Sequence, residues 1–167
     1  GNKECDGFGT GDLKVQEGWP RRVAIFGATG GIGAALCRVL ADNGTQVLAG
    51  SRSGEAPKHQ LIHPFQFDLL DESSIAHAVA GMAEAPPELT IVATGTLTLD
   101  DGTGPERSLK SLSQQAMTHS IAVNAIGPAM IARHMLPLMP RDARWVFAAL
   151  SARVGSISDN HLGGWHS

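Results

Sequence analysis

Two arrangements of apolar residues alternate along this chain. Short, mainly apolar runs read as strands, Val23–Phe26 as a buried one: Val23–Phe26, Gln46–Gly50, Ile62–Phe67, Leu89–Ala93 and Arg144–Leu150, with Pro64 interrupting the third early. Between them, apolar positions recur every three or four residues, the period of a helix with one buried face. The spacing predicts a first helix over Gly31–Asn43, with Ile32, Leu36, Val39 and Leu40 as its inner stripe and Asn43-Gly44 as its stop. Asp71-Glu72-Ser73-Ser74 opens a second helix that runs to about Ala83, before Pro86-Pro87. Ser113 caps a long third helix running towards His134 or Met135. Ser51–Gly54 and Leu136–Asp142 read as turns, and Thr96–Leu112 as a polar loop. Residues 1–20 and 151–167 are glycine-rich without a period. The first of these reads as a loose arm or an expression remnant.

Alternating strands and helices predict an α/β fold: a doubly wound parallel sheet between two helical layers. No internal repeat and no boundary after Pro20 are visible, so residues 21–167 form one domain. Ligands of such sheets bind at the C-terminal strand ends, where the strand order reverses. The residues directly after the apolar runs are small or polar: Gly27, Ser51-Arg52, Asp68, Thr94-Gly95 and Ser151.

Composition narrows the function. The 167 residues are 43% hydrophobic with a net charge of −3, which fits a globular domain and argues against nucleic acid as a partner. No apolar run has the length of a membrane span, and no secretory leader is evident, so a reducing cytoplasm is the expected location. Cys5 and Cys37 have no metal or redox spacing, and Cys37 reads as a small core residue of the first helix. His161 and His166 lie in the glycine-rich tail and are expected at the surface, so no metal site is expected.

The stretch from Val23 to Leu36 carries the clearest chemistry. An apolar run turns through Gly27-Ala28-Thr29-Gly30-Gly31-Ile32-Gly33 directly into a helical pattern. Backbone N–H groups at such a helix start, with the helix dipole behind them, suit a phosphate. The glycines fit two spacings, G-x-x-x-G-x-G through Gly27, Gly31 and Gly33, and G-x-x-G-x-x-G through Gly27, Gly30 and Gly33. The second apolar strand ends in Ser51-Arg52 rather than in an acid. An acid there would hold the ribose hydroxyl of NAD, whereas an Arg can pair with the 2′-phosphate of NADP, so NADP is favoured over NAD. Asp68 is placed either to accept the exocyclic amine of an adenine or to cap the following helix. In the long helix Asn124 falls in the apolar stripe of Met117, Ile121, Ile131 and Met135. Pro128, lacking an N–H, leaves the Asn124 carbonyl unbonded, predicting a bend and a water-holding site. The alternative is a kinked core helix whose Asn bonds its own backbone. Ser151 could hydrogen-bond a substrate carbonyl or simply satisfy loop backbone.

Taken together, Gly27-x-x-x-Gly31-x-Gly33, Asp68-Leu69, Thr94-Gly95, Val123-Asn124-Ala-Ile-Gly127-Pro128 and the stretch from Ser151 to Gly163-Gly164-Trp165 resemble the short-chain dehydrogenase/reductase family. Ser151–Ile157 and the tail are most similar to its C-factor-like or sniffer-like branch. The resemblance implies a Rossmann-type fold and hydride transfer between a nicotinamide cofactor and a carbonyl or alcohol. It implies cofactor contacts from Gly27 to Gly33, at Ser51, Arg52, Asp68 and Leu69, and along Ala93, Thr94 and Gly95. Asn124 takes the family's water-relay position and Ser151 stands beside its substrate-orienting serine. A homo-oligomer is implied for the full-length protein.

Three departures accompany the resemblance. The family's Asn-Asn-Ala-Gly reads Val92-Ala93-Thr94-Gly95. Strict register puts the catalytic serine on Ala152, so Ser151 replaces it only if the strand end twists. The family's Tyr-x-x-x-Lys is absent, and the chain contains no tyrosine. The pattern places that tyrosine immediately after Ser167, so the chain is expected to be the N-terminal part of a reductase, lacking the last strands of the sheet and inactive alone. Two other readings remain: a non-catalytic NADP-binding or sensing module, and an epimerase-like relative.

Overall fold

The computed structural model describes residues 18–96 and 108–152. Most of the N-terminal arm with Cys5, the middle of the polar loop, and the tail with His161, His166 and Gly163-Gly164-Trp165 lie outside the described residues.

Among the described residues, five strands, β1 (Arg22–Phe26), β2 (Gln46–Ser51), β3 (Ile62–Gln66), β4 (Leu89–Val92) and β5 (Val146–Ala149), form one parallel sheet in the order β3-β2-β1-β4-β5. β1 is central because its apolar run can be buried on both faces. Val23 and Ile25 point into one core, against Cys37, Leu40 and Val47. Ala24 and Phe26 point into the other, with Phe67, Ile75, Ile131 and Met135. There Phe26 meets Phe65 and Phe67 edge-on, with ring centroids 5.3 and 5.0 Å apart. Phe26 lies in register with Gly50 and with Val92, so β1 ends level with β4 and one residue short of β2. The chain leaves β1 towards β2 on one side and returns to β4 on the other, which opens a crevice at the C-terminal ends of β1 and β4.

Among the described residues, four α-helices accompany the sheet: α1 (Gly31–Asp42), α2 (Glu72–Ala80), α3 (Gln114–Ile121) and α4 (Gly127–Met135). The buried row of α1 is Gly33, Cys37, Leu40 and Ala41, whereas Ile32 is 62% and Val39 49% exposed. This corrects the predicted stripe at Ile32 and Val39, while Leu40 is buried and Leu36 packs half-buried against the core. A Cβ on Gly33 would overlap the carbonyl oxygen of Gly27, so close contact at Gly33 sets the rotation of the helix and turns Ile32 and Val39 outward. Burial pushes the Cys37 thiol up to about 11.

Asp71 caps α2, accepting from Ser73 N at 2.9 Å and Ser74 N at 3.4 Å, and α2 stops at Ala80, short of the predicted end. Pro64 does not interrupt β3, since β3 is an edge strand and Pro64 stands opposite Ala49 in the ladder. The predicted long helix is divided: residues 122–126 form one π turn in which Gly127 N reaches back to Ala122 O. Pro128 cannot donate to Asn124, and the chain accommodates this with a wider turn rather than a simple bend. Downstream, Arg133 and His134 of α4 meet Glu72 of α2 at 2.9 and 3.2 Å, tying the two helices together. β5 is shorter than predicted, leaving Arg144 and Trp145 before it and Leu150 after it.

Candidate functional site: the crevice at the strand ends

The tight turn after β1 begins at Gly27, whose φ is +99°. A Cβ there would sit 2.9 Å from both Ala93 C and Thr94 N, so only glycine lets the β1 turn approach the loop after β4. Gly27 N and Ala28 N both donate to Gly50 O, at 2.9 and 2.8 Å, which anchors the turn to β2. The first helical bond of α1 is Ala34 N to Gly30 O, at 2.8 Å. The N–H groups of Gly31, Ile32 and Gly33 are therefore left without an intrahelical acceptor. No side chain caps this end, and its first turn holds no acid. Cβ atoms on Gly30 and Gly31 would meet nothing closer than Gly27 O at 3.6 Å from Gly30. An open, uncapped helix start is the arrangement a phosphate requires.

A cleft of about 330 Å³ lies across this turn. Of the residues the sequence singles out, Gly27, Thr29, Gly30, Ser51, Arg52, Asp68, Leu69, Ala93, Thr94 and Gly95 line it. Ala28, Gly31, Ile32 and Gly33 are not on its wall: Ala28 is wholly buried in the α1-side core, and Gly31 to Gly33 form the first turn of α1. Arg52 is exposed and, among the described residues, pairs with no carboxylate. Ser51 is 3% exposed and its Oγ donates to Glu55 O at 2.7 Å, so this hydroxyl holds the loop after β2. Asp68 Oδ1 accepts from Leu70 N at 2.9 Å, and Asp68 N donates to Ser74 Oγ at 2.9 Å. Asp68 therefore shapes the β3–α2 loop while still facing the cleft. Leu69 packs against Gly127, where a Cβ would come within 2.5 Å of its Cγ.

Asn124 is not buried in an apolar face. The π turn leaves it exposed, and its amide bonds outward to the loop after β4 rather than to its own backbone. It accepts from Thr96 N and donates to Thr96 O, both at 2.9 Å, and it donates to Ser120 Oγ at 3.2 Å. Ser151 is exposed, two residues beyond the end of β5, and does not line the cleft.

Five further residues line the cleft that the sequence did not assign as cofactor contacts: Phe67, Leu70, Thr96, His119 and Val123. Phe67 and Leu70 flank the singled-out Asp68-Leu69, and Val123 precedes Asn124, so adjacency was the available signal. His119 gives none, because its place on the wall depends on where α3 crosses the strand ends. Among the described residues no three His, Cys, Asp or Glu gather as a metal would need, and no helix is long and apolar enough to cross a membrane.

Residues 21–154 match the family described as short chain dehydrogenase. A polyketide synthase, GfsA, from Streptomyces halstedii is 32% identical over 80% of this chain and 2% of its own length. A serine 3-dehydrogenase from Agrobacterium fabrum is 26% identical over 85% of this chain, which spans 59% of that relative. The crystal structure of a short-chain dehydrogenase/reductase from Burkholderia multivorans with bound NADP superposes with a TM-score of 0.76 at 22% identity. It covers 88% of this chain and 65% of its own.

Proposed function

This chain belongs to the short-chain dehydrogenase family, and we propose that it forms the cofactor-binding part of an oxidoreductase that moves a hydride between NADPH and a small carbonyl or alcohol. The observation that carries the reading is one cleft lined both by Gly30, the residue at the uncapped start of α1, and by Arg52, which among the described residues pairs with no carboxylate. The bound cofactor would supply the hydride. The N–H groups of Gly31, Ile32 and Gly33 would hold the pyrophosphate, and Arg52 the 2′-phosphate that separates NADP from NAD. Asp68 and Leu69 would border the adenine. Gly27, Ala93, Thr94 and Gly95 would shape the floor, and Asn124 would hold the loop that forms its far wall.

Ser151 is the candidate for orienting a substrate carbonyl. The chain has no tyrosine, so the proton that accompanies the hydride does not come from a phenol of these residues. Without a positioned acid, turnover by these residues alone falls by about 10²- to 10⁴-fold. Val92, Ala93 and Ala152, which stand where the family carries polar side chains, favour as second reading a module that binds NADP without turning over.

Titration of the purified chain with NADPH and NADH, followed by nucleotide fluorescence, tests this. Tighter binding of NADPH by about tenfold or more is expected. Equal affinities overturn the NADP preference, and absence of binding to either overturns the nucleotide reading. Carbonyl reduction by the NADPH-loaded chain at an ordinary rate would exclude the non-catalytic module.

A further inference from the structure

Two threonines on or just after β4 bury a hydroxyl without a partner. Oγ1 of Thr90 and Oγ1 of Thr94 are both out of reach of solvent and make no hydrogen bond. Buried polar atoms are paired in nearly all folded proteins, so each exception calls for a cause. Thr90 is wholly buried in the middle of the sheet, opposite Ala24, where no ligand reaches. Thr94 is different. It is two residues past the end of β4, lines the cleft, and its backbone N faces Gly27 across the crevice. It is half-buried and lines the cleft, and because its Oγ1 is out of reach of solvent, contact with a ligand requires χ1 to leave the well that buries the hydroxyl. The residues before it, Val92 and Ala93, offer no polar side chain, and the Ser51 hydroxyl across the cleft is already held by Glu55 O.

We propose that the Thr94 hydroxyl is a cofactor-positioning group that donates a hydrogen bond to an oxygen of the dinucleotide's sugar–phosphate backbone. The ligand would supply the acceptor that the protein does not offer this hydroxyl. The inference rests on the nucleotide reading above and adds a side-chain contact to it. It accounts for a polar residue at this position and distinguishes Thr94 from Thr90, which has no such acceptor to await.

The test uses the full chain and NADPH. T94V keeps the shape and removes the hydroxyl. Its Kd for NADPH is expected to rise about 3- to 10-fold, while its Tm without nucleotide stays level with the parent protein or rises. T94S, which keeps the hydroxyl, is expected to bind within about twofold of the parent. T90V serves as the internal comparison, with unchanged Kd and a Tm that is level or higher. Parent binding with no change in T94V overturns the inference and leaves the nucleotide reading standing. A fall in the nucleotide-free Tm of T94V alongside its weaker binding, or a T94S as weak as T94V, assigns Thr94 a structural role and also overturns it. Failure of the parent chain to bind NADPH removes the nucleotide reading itself.

Discussion

The side chain of Asn124 grips the backbone of Thr96 at both its N–H and its C=O, with two bonds of 2.9 Å. The residues are 28 apart in sequence and join the π turn to the loop that walls the cleft. The amide is suited to this because it carries an acceptor and a donor side by side. N124A removes both bonds and is expected to lower stability by about 1–2 kcal/mol, with the bonds discounted for exposure, and to weaken NADPH binding. N124D keeps the acceptor but sets a carboxylate oxygen against Thr96 O, so it is expected to be at least as destabilising at pH 7. Urea unfolding and NADPH titration of the two variants check this, and a wild-type-like N124D would refute the clamp.

Gly33 and Gly31 belong to one glycine pattern yet have opposite surroundings. A Cβ on Gly33 would overlap Gly27 O, whereas one on Gly31 meets nothing within 4 Å. G33A is expected to cost about 2 kcal/mol or more, as overpacking against backbone does. G31A is expected to leave stability unchanged or raise it by about 0.4–1 kcal/mol, while crowding the approach of a phosphate. Thermal unfolding and nucleotide titration together separate the packing role of Gly33 from the proposed ligand role of Gly31.

R52A should separate the cofactors. Loss of a charge-assisted bond to the 2′-phosphate is expected to weaken NADPH binding by about 10- to 100-fold and to leave NADH binding within about threefold. An equal loss for both nucleotides would place Arg52 elsewhere than at the 2′-phosphate.

The Asp71 cap makes a pH-dependent contribution. Its carboxyl is held below the ordinary 3.8 by the Ser73 hydroxyl first, then by the N–H groups of Ser74 and Ser73. A folded-state value below the unfolded one gives stability that is present above about pH 4 and lost as pH falls through the folded value. D71A is therefore expected to melt a few degrees below the parent at pH 7, with the gap closing as the pH is lowered past 4. A gap that is constant with pH would mean that the ionised carboxylate adds nothing to the cap.

Much of this architecture was legible from local pattern. Five mainly apolar runs became five strands, and their alternation with helical stretches gave the parallel sheet; burial on both faces accounts for the apolar runs of the inner strands β1, β2 and β4, whereas β3 and β5 are largely exposed. The turn at Gly27, the cap at Asp71 and the ten singled-out residues that line the cleft were equally readable. Backbone geometry at a strand end depends on a few adjacent side chains.

Tertiary structure decided what adjacency could not. Ile32 and Val39 fit a helical stripe by spacing, but the contact of Gly33 on Gly27 rotated α1 and put Gly33, Cys37, Leu40 and Ala41 on the sheet. Asn124 fit the apolar face of a continuous helix, but the wider turn before Pro128 moved it outward onto Thr96. His119 reached the cleft, and Ser151 stayed off its wall, through the placement of α3 and the end of β5. Sequence thus determined which segments form strands and where the chain turns, because those choices are local. The rotation of each helix and the distant backbone each polar side chain meets came only with packing, because they depend on contacts between residues far apart in the chain.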